Sequence, residues 1–467
     1  MKNKILSILL VFVASIAYTQ MESANWFFGE NAGLTFKNYL PEAITDGSLS
    51  TMEACSSISD QQGHLMFYTD GISVWDNTHN LMPHGDMLLG NPSSSQSGIV
   101  VARPASDNLY YIFTIDDVAH GTGGSYGINY SLVDMRLLNW KGDVVDTVKN
   151  VNLTKPMCEK LAAVGHANGL DTWVITQKWG TNNIYSYLVT NEGVNETPVI
   201  SEQGQVISGF IDNAKGYMKV SPNGEVLAKA NAGMNNVEIF DFNNTTGIVS
   251  NARVITDIPG EPYGIEFSPD NKLLYVSSWK DHGGKYLLQY DLEAGSIDDI
   301  IASQYIVATG TEGALQIAPD NRIYVAMANM GSLSRVNQPN KIGADCDFEY
   351  ATVSLGGRTC RWGLPDFISS IFLGVGKAEI NSDKTNIISI NPNPNKGIFQ
   401  ITASLVLDYP FVTVYDNYSS EVFHRKINAR LDTFEPINID LDFLRAGHYV
   451  LLIKTKNNSF TEKLILE

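Results

Sequence analysis

The sequence lacks the short motifs that mark several common chemistries. No two cysteines have the CxxC spacing, which argues against a zinc ribbon or a thioredoxin-type site. There is no HExxH, no P-loop and no dinucleotide-binding glycine fingerprint between a strand and a helix. Metalloprotease, nucleotide-hydrolase and dehydrogenase functions therefore have no support, and no cofactor is predicted.

Long hydrophobic runs are also missing, apart from one near the start. Residues 5–17 are apolar, which is shorter than the roughly 20 residues that a membrane-spanning helix needs. Two lysines precede this run, and small residues suited to cleavage stand before Gln20. The pattern is typical of a signal peptide at 1–19, so the mature chain is expected to be exported and to have no transmembrane segment.

Basic residues are few compared with acidic ones. The chain has 32 Lys and Arg against 50 Asp and Glu, which gives a formal net charge of −18. Because nucleic acids and anionic lipids are polyanions, neither is expected as a direct partner. Such an acidic chain suits a soluble exported protein and leaves the binding of a divalent cation open.

Cysteine is rare, with four residues in 467. An even number in an exported chain permits disulfides. Cys346 and Cys360 are close in sequence and form the preferred predicted pair. A pairing of Cys55 with Cys158 is weaker, and free buried thiols are an alternative.

What the sequence does contain is a repeat. Pro222, Pro269 and Pro319 are spaced by 47 and 50 residues, and each stands in a turn between two strand-like segments. Proline presets such a turn, and the Asn, Asp or Gly that follows tolerates its left-handed corner. Each repeat therefore predicts a β-hairpin, followed by a third strand that ends in Asp.

Weaker copies of this unit are found at 55–77, 100–135 and 161–189. Six all-β units of about 40 to 60 residues are typical of β-propeller blades. The segment 361–372 resembles one more inner strand, and 25–36 resembles two outer strands. Together they predict a seventh blade in which the N- and C-terminal strands pair and close the ring, although six or eight blades are also compatible.

The propeller is predicted at 20–373, and the residue pattern of the sequence changes after it. Residues 374–386 are polar and non-periodic and predict a linker, whereas 387–467 predict a small Ig-like β-sandwich. Its distinctive residues are the turn of Pro392, Asn393, Pro394, Asn395, Lys396 and Gly397, followed by Phe399, then Gly447 and Tyr449 in a later turn, and Lys463 in the closing strand.

These ordered motifs strongly resemble the type A C-terminal sorting domain of the type IX secretion system of Bacteroidota. One departure is His448, where the family often has Ile or Val. The resemblance implies an address tag that the translocon recognises and that a sorting protease removes at the outer surface. Cleavage is then expected within the linker. An ordinary adhesive Ig-like module is the alternative.

The propeller segment also resembles a family of secreted Bacteroidota propellers, through the phrases at 25–36, 65–76, 166–176 and 363–367. Its repeats are similar to the YVTN and lactonase-like propeller repeats. This resemblance implies the fold and a cell-surface or extracellular location, and says little about activity.

Two motifs resemble catalytic or metal sites without the context that such sites need. Ser125 lies in a G-x-S-x-G sequence, but this glycine-rich loop has no helix after it and so does not predict a nucleophile elbow. Asp116, Asp117 and His120 offer ligand atoms without the spaced ladder of a calcium loop. No catalytic residue and no metal ligand is therefore predicted.

Three aspartates, Asp70, Asp241 and Asp291, recur at equivalent blade positions and are expected to cap turns and strand ends. Polar residues on or near the predicted inner strands are better candidates for a site, because propellers bind ligands where these strands converge. The candidate ligand-binding residues at the channel mouth are Arg103, His166, Lys219, Glu266, Gln316 and Arg361. Glu159, Lys160 and Arg358 lie nearby, and the mixed charges also permit mutual neutralisation with a structural role.

The sequence favours a non-catalytic module that binds a protein or a glycan after export by the type IX system. A lactonase-like or other hydrolase at the channel mouth, with or without a metal ion, is the alternative. A structural component of the envelope is a third hypothesis.

Overall fold

The computed structural model describes residues 20–38, 40–118, 125–280, 284–372, 388–393, 395–403, 407–408, 410–415, 421–427, 430–431, 436–445, 447–454 and 459–466. Contacts divide the chain into two compact units, one within residues 1–375 and the other within 376–467. The predicted signal peptide and linker lie outside the described residues. No helix in the described part of the chain is long and apolar enough to cross a membrane.

The described part of the first unit contains seven separate antiparallel sheets. The first three sheets comprise β1 (Asn25–Phe28), β2 (Ala32–Thr35) and β3 (Glu42–Ile44); β4 (Ser56–Ser59), β5 (Leu65–Thr69) and β6 (Val74–Asp76); and β7 (Gly98–Ala102), β8 (Leu109–Ile115), β9 (Ile128–Asp134), β10 (Asp143–Val144) and β11 (Val151–Thr154). The fourth sheet comprises β12 (Met157–Gly165), β13 (Thr172–Lys178), β14 (Asn183–Thr190), β15 (Gly193–Val194) and β16 (Val199–Glu202).

The remaining three sheets have four strands each. They comprise β17 (Met218–Val220), β18 (Val226–Asn231), β19 (Asn236–Asn243) and β20 (Ile248–Ile255); β21 (Glu261–Phe267), β22 (Leu273–Lys280), β23 (Gly284–Asp291) and β24 (Tyr305–Thr309); and β25 (Leu315–Ile317), β26 (Ile323–Val325), β27 (Ser332–Val336) and β28 (Phe348–Ser354). The described helices are α1 (Ile297–Ala302) and the 3₁₀ turns Gln20–Ser23, Asp146–Val148, Ile211–Ala214, Ala232–Met234, Gly343–Cys346 and Ser369–Phe372.

The repeated proline turns form the predicted hairpins. They join β17 to β18, β21 to β22 and β25 to β26, and the three pairs are antiparallel. Gly224, Asn271 and Asn321 take the left-handed corners, with φ of 74°, 67° and 60°. Glycine and asparagine adopt this conformation with little strain. The hairpin prediction is therefore confirmed at all three repeats.

The first strand of each sheet from the second to the seventh lies beside the first strand of the next, in the order β4, β7, β12, β17, β21 and β25. We call these six the inner strands. The first sheet contacts β4 through β1, and Trp26 in β1 packs its ring against Tyr324 in β26 with centroids 5.6 Å apart. The first sheet thus has neighbours in both the second and the seventh sheets, which gives the unit a β-propeller-like arrangement.

The two ends of the first unit meet through isolated contacts. The Glu30 N–H donates to the Thr359 carbonyl at 2.9 Å, and Pro365 forms a single parallel bridge with Cys55. The regular inner strand predicted across 361–372 is not formed. Proline has no amide hydrogen to donate to a ladder, which explains why this segment follows the inner path without strand pairing.

Alternation along the inner strands decides which side chains reach the centre. Met218 and Val220 of β17 belong to the apolar core between the fourth and fifth sheets. Successive residues of a strand point to opposite faces, so Lys219 points the other way, toward Glu266 of β21. The short hydrophobic strand β17 therefore places the buried, positively charged side chain of Lys219 inside the unit.

The second unit is also antiparallel and all-β. Its described strands are β29 (Ile388–Asn391), β30 (Ile398–Ala403), β31 (Leu407–Asp408), β32 (Phe411–Tyr415), β33 (Glu421–Lys426), β34 (Arg430–Leu431), β35 (Ile437–Asp440), β36 (Gly447–Lys454) and β37 (Ser459–Leu466). They form the sheets β29-β30-β35, β31-β34 and β33-β32-β36-β37. One core joins the two larger sheets, through residues such as Phe399, Ile439, Val412 and Leu451.

Candidate functional site

Three of the predicted site residues, Lys219, Glu266 and Gln316, come together inside the first unit and are almost fully buried. Lys219 Nζ lies 2.6 Å from Gln316 Oε1 and 3.9 Å from Glu266 Oε2. Asp366, which the sequence analysis did not single out, accepts a further bond from this ammonium at 3.0 Å. One lysine therefore contacts side-chain oxygens from three different segments, two of them carboxylates.

Gln96 ties these residues to the inner strands and was also missed by the sequence analysis. Its Nε2 donates to Asp366 Oδ1 and to the Met218 carbonyl, both at 3.2 Å. Its Oε1 accepts from the N–H groups of Leu161 and Met218 at 3.1 and 2.7 Å. We call Lys219, Glu266, Gln316, Asp366 and Gln96 the central network.

Burial raises the pKa of both acids of the central network, and in each case the charge of Lys219 opposes that rise. The recess beside these residues, which Phe367 and Phe372 also line, has about 190 Å³ of empty space including open solvent. Pockets for small ligands usually enclose roughly 300–1,000 Å³. The recess is smaller than this range, and the centre is tightly packed around Lys219, although Asp366 Oδ2 is buried without a hydrogen-bond partner among the described residues.

The structure does not bring Arg103 and His166 into this network. Arg103 donates through Nε and Nη2 to the Asn191 carbonyl at 3.0 and 2.7 Å. His166 Nδ1 accepts from the Asn168 N–H at 2.9 Å, so its Nε2 carries the hydrogen and donates to the Thr245 carbonyl at 2.9 Å. Both side chains stabilise turns through hydrogen bonds with main-chain groups. For His166 this is the structural role that a lone histidine near a turn usually has.

Arg361 also has a structural partner. Its guanidinium pairs with Glu30 and with the side-chain oxygen of Asn329. Glu30 follows β1, whereas Arg361 belongs to the last segment of the unit. This ion pair therefore reinforces the contact between the two ends of the first unit.

A second polar group lies where the inner strands begin. We call it the mouth group, and its members come from the starts of β4, β7, β12, β17 and β21: Glu53, Ser95, Glu159, Lys215 and Tyr263. Tyr263 Oη donates to Glu53 Oε2 at 2.7 Å. Ser95 donates its N–H at 3.0 Å and its hydroxyl at 3.1 Å to Glu159 Oε2. Lys215 Nζ pairs with Asp212 at 2.7 Å and also interacts electrostatically with both glutamates, so residues from five sheets contribute to one cluster.

The two carboxyl groups of the mouth group hold their protons unusually tightly. Burial raises the pKa of Glu53 to about 8, against the hydrogen bond from Tyr263. Burial likewise raises the pKa of Glu159 to about 7, against the bond from Ser95. Among the described residues, no lysine or arginine lies within 4.0 Å of either carboxylate. Shifted acids of this kind are enriched at functional sites.

Lys160 fixes the segment that carries Lys215. Its Nζ lies 3.1, 2.7, 3.0 and 2.7 Å from the carbonyl oxygens of Ala214, Lys215, Gly216 and Ala230. Burial lowers the pKa of Lys160 to about 7, whereas carbonyl acceptors favour its charged form. We call this arrangement the Lys160 clamp. It positions the chain immediately before β17, next to the mouth group.

A row of aromatic side chains adjoins Glu53. Successive ring centroids from Tyr217 to Tyr263, Trp362 and Trp279 are 5.4, 5.7 and 5.6 Å apart. The two tyrosines are buried, whereas the two tryptophans are half-buried. The hydroxyl of Tyr217 has no hydrogen-bond partner among the described residues. The two tryptophans of this aromatic row therefore present apolar surface next to the hydrogen-bonded pair of Tyr263 and Glu53.

The residues of the mouth group share a feature that can be seen in the sequence, namely their position at the start of an inner strand. Glu53, Ser95 and Lys215 each stand three residues before an inner strand, namely β4, β7 and β17. Glu159 and Tyr263 fall in the irregular first parts of β12 and β21, before the strand pairing becomes regular. Glu159 and Lys160 were among the polar residues noted in the sequence, whereas the six candidate ligand-binding residues lie within strands or after them, at the centre and in the far turns.

The other motifs of the sequence organise loops. Asp116 accepts from Asn91 Nδ2 at 3.1 Å and from the N–H groups of Asp117 and Tyr126 at 2.9 and 2.7 Å. Ser125 Oγ accepts from the Gly127 N–H at 3.0 Å, while His120 lies outside the described residues. Within the described part of the chain, no three His, Cys, Asp or Glu side chains are grouped so as to hold a metal ion.

Two of the three repeated aspartates cap turns as expected. Asp70 Oδ1 accepts from two N–H groups in the turn after β5, and Asp291 accepts from the Glu293 N–H at 2.9 Å. Asp241 differs, because it pairs across the sheet with Arg253 at 2.7 Å.

The structure contradicts the predicted disulfide between Cys346 and Cys360. All four cysteines are free and buried. Cys346 belongs to the 3₁₀ turn after β27, whereas the Cys360 N–H donates to the Met330 carbonyl in the closing segment. β28 lies between the two cysteines, so their nearness in sequence does not by itself place them in bonding distance.

In the second unit, the predicted sorting motif forms hydrogen bonds with the last strand, β37. Asn393 Oδ1 accepts from the Ile465 N–H at 2.9 Å, and the Asn395 N–H donates to the Ile465 carbonyl at 3.0 Å. Gly397 has a φ of +96°, and a Cβ there would lie 2.6 Å from Asp442 Cα. The glycine is therefore required both by conformation and by close packing.

The remaining motif residues are distributed around the same fold. Pro392 is exposed, and Pro394 lies outside the described residues. Phe399 is buried in the core. Gly447 pairs with Leu466 and Lys463 with Val450, whereas Tyr449 Oη donates to the Arg445 carbonyl at 2.8 Å.

Comparison with protein families gives one match. Residues 389–467 match the secretion system C-terminal sorting domain. A comparison with curated proteins gives no match.

Comparison with solved structures gives propeller-like neighbours of low identity. A candidate 6-phosphogluconolactonase of Bacteroides uniformis is 12% identical with a TM-score of 0.39, covering 67% of this chain and 92% of that one. A Lactobacillus plantarum protein is 12% identical with a TM-score of 0.38, covering 78% and 92%. PorZ, a surface component of the type IX secretion system of Porphyromonas gingivalis, is 10% identical with a TM-score of 0.34, covering 95% and 59%.

At these TM-scores the neighbours carry no argument, and the fold rests on the sheets described above. The last 79 residues carry the clearest identity, because the family match coincides with the latched turn and the two-sheet core. The chain is a β-propeller-like protein that ends in a type IX secretion C-terminal sorting domain, which indicates secretion to the outer-membrane surface or the extracellular space.

Proposed function

We propose that this protein is a non-catalytic binding module whose ligand, a protein or a glycan, is held at the mouth of the propeller-like unit. One observation carries the proposal. Lys219 contacts both carboxylates of the central network, whereas Glu53 and Glu159 at the mouth have no ion-pair partner among the described residues. Carboxyl groups beside half-buried tryptophans combine polar and aromatic surface in the way that ligand-binding sites do.

The alternative is a lactonase-like or other hydrolase at the same mouth. Two neighbouring acids with raised pKa values, Glu53 and Glu159, favour it, because general acid–base catalysis uses such groups. Lys219 weighs against a metal-assisted form at the centre. Its ammonium already takes the position among the side-chain oxygens that a divalent cation would need.

We also propose that the seven sheets are seven blades of a closed ring. The first sheet then closes the ring through the Glu30–Thr359 contact and the ion pair of Arg361, in place of a full strand ladder. Export is proposed to use a signal peptide at 1–19 and cleavage between 374 and 386. The partners in export are the type IX translocon and its sorting protease.

The binding proposal is tested with variants of two tryptophans. Trp362→Ala alters the mouth, and Trp140→Ala removes a 62% exposed tryptophan from the turn between β9 and β10. The full chain and both variants are compared on a glycan array, on a peptide panel and with lactone and glycoside substrates. We expect a ligand that only Trp362→Ala loses, and no turnover.

Two outcomes would overturn this proposal. Turnover that disappears in Glu53→Gln would replace the binding module by the hydrolase. Ligand binding that Trp362→Ala retains in full would place the site elsewhere on the protein.

A further inference from the structure

The loop between β16 and β17 carries the most exposed large apolar side chain in the described part of the chain. Phe210 is 83% exposed, and Val206 and Ile211 in the same loop are 54% and 48% exposed. We call residues 203–217 the Phe210 loop. It includes Lys215 of the mouth group and therefore lies on the mouth side of the unit. Several apolar side chains exposed in one loop indicate an interaction site more strongly than scattered single ones do.

Hydrogen bonds fix the first half of the Phe210 loop. The Gln205 N–H donates to Glu238 Oε1, a buried carboxylate, at 2.8 Å. Two residues later, the side chain of Ile207 is fully buried, and its N–H donates to the Thr181 carbonyl at 3.0 Å. Val206 is therefore exposed between two residues that are held in place.

The second half of the loop is fixed by a turn and by the Lys160 clamp. Gly209 takes a left-handed corner with a φ of 89°, and the Asn213 N–H donates to the Phe210 carbonyl at 3.0 Å. Directly after this turn, the clamp binds the carbonyl groups of residues 214–216. The backbone that displays Phe210 is thus held on both sides without a partner.

A buried charge is used to hold this loop. Lys160 is fully buried, and among the described residues its ammonium contacts main-chain carbonyl groups, with no carboxylate within 4.0 Å. Burying an ammonium without a counter-ion costs free energy. A loop that is already fixed loses less conformational freedom when it binds, so the clamp favours binding through Phe210.

We propose that the Phe210 loop binds a partner protein by inserting Phe210 into an apolar pocket that is bordered by basic residues. This deepens the proposed function, on which it rests, because it assigns the ligand to the protein class. Aromatic side chains that enter a pocket dominate the binding energy of many protein interfaces. The net charge of −18 favours a partner with a basic border around that pocket.

The same features disfavour other occupants. A second copy of this chain and an anionic lipid surface both carry negative charge and would be repelled. Small ligands such as short glycans bind in concave pockets that enclose them. Phe210 instead protrudes from its turn, since a Cβ added at Gly209 would meet only Asn213 within 4 Å, at 3.8 Å.

Photocrosslinking of the full chain tests the inference. A benzophenone side chain is placed at position 210 or, as the control, at position 87, where Met87 is 74% exposed in the first unit. Cells that secrete either protein are irradiated, and the products are identified by mass spectrometry. We expect one partner protein to be linked from position 210 and not from position 87. Crosslinks only to lipid, glycan or a second copy would overturn the proposal, and so would no crosslink above the control.

Affinities for the purified partner then show how Phe210 contributes. Phe210→Ala is expected to weaken binding by at least about tenfold, whereas Met87→Ala should change nothing. High salt should also weaken binding, because the charges are complementary. Unchanged affinity in Phe210→Ala would overturn the proposal. Melting curves of both variants show whether folding is affected.

A glycine variant tests whether the fixed backbone matters. Gly209→Ala keeps all the contacting side chains but strains the left-handed corner, so binding should weaken by about fivefold or more. Gly169→Ala strains the turn between β12 and β13, where φ is 72°, and should leave the affinity unchanged. Equal affinities of these two variants would contradict the role of the fixed backbone.

The inference and the proposed function can fail separately. If a ligand is lost in Trp362→Ala but is bound equally well by Phe210→Ala, the inference fails and the proposed function stands. If binding depends on Phe210 but is retained in full by Trp362→Ala, the Phe210 loop is a binding surface separate from the aromatic row, and the proposed function fails together with the inference that rests on it.

Discussion

The centre of the first unit and its mouth are made from the same strands, yet they treat buried charge differently. At the centre, Lys219 contacts Asp366 and Gln316 directly, and Gln96 uses both ends of its amide. At the mouth, Glu53 and Glu159 receive hydrogen bonds from hydroxyl groups and one N–H, without a cation in contact.

This difference shows that the same strands hold buried acids with a cation at the centre and with neutral donors at the mouth. Charges that neutralise each other specify the packing of neighbouring sheets, and removing one of them exposes the others to an apolar interior. At the mouth, the raised pKa values of Glu53 and Glu159 mean that ionising these acids costs free energy in the folded state.

The largest effect is expected at the centre. Lys219→Ala leaves Asp366 and Glu266 buried without a cation, so the free energy of unfolding should fall by about 3–5 kcal/mol. Urea denaturation measures it, and Lys272→Ala, which breaks the exposed pair with Glu293, serves as the control and should have no measurable effect. Equal stability of the two variants would contradict the view that the central network is structural.

A smaller effect is expected at the Lys160 clamp. Lys160→Met leaves the four main-chain carbonyl groups without their buried donor and should lower the free energy of unfolding by at least about 2 kcal/mol. Hydrogen exchange should accelerate most in the segment 211–217. A uniform acceleration over all sheets would instead show that the lysine stabilises the unit as a whole.

Glu53 should make stability depend on pH. Its pKa is about 8 in the folded protein and near 4.5 otherwise, so the folded state binds this proton more tightly. The contribution of Glu53 to stability is therefore complete below about pH 4.5 and is lost as the pH rises to about 8.

Glu53→Gln should consequently match the wild type near pH 5 and exceed its stability at pH 9 by roughly 1–3 kcal/mol, allowing for solvent screening. Thermal unfolding across this pH range measures the difference, with Glu192→Gln as the control. A constant difference at all pH values would show that Glu53 does not titrate in this window.

The smallest expected effect concerns the thiols. Cys55 bridges Pro365, next to Asp366 of the central network, and Cys158 precedes the mouth residue Glu159. Burial raises the pKa of both thiols. Thiolates are needed for oxidation, so these buried thiols should remain reduced. Reductant should leave the melting temperature unchanged, and alkylation in denaturant should label four cysteines. Labelling of only two would restore the disulfide prediction.

Local chemistry explains what could be predicted from the sequence. The hairpins at Pro222, Pro269 and Pro319 were predictable because proline and a left-handed Asn or Gly define a turn within a few residues. The sorting motif was recognisable for the same reason, since Asn393, Asn395 and Gly397 form one continuous turn. Their attachment to the Ile465 backbone became visible only in the folded unit.

The site depends on contacts across hundreds of residues. Glu53 and Tyr263 are 210 residues apart, and Lys219 and Asp366 are 147 apart. The sequence suggested Lys219, Glu266 and Gln316 because they lie on inner strands, but it gave no reason to add Gln96 or Asp366. The predicted strand at 361–372 and the predicted disulfide both failed because each assumed a pairing that only the path of the chain decides.

The sequence by itself determined the strand repeats, their turns, the acidic charge and the sorting module, since each depends on residues that are neighbours along the chain. Only the tertiary structure decided which buried charges have partners. The reason is physical: whether a carboxylate is neutralised depends on a few ångströms between strands that are distant in sequence, and those distances are set by how the sheets pack around the centre.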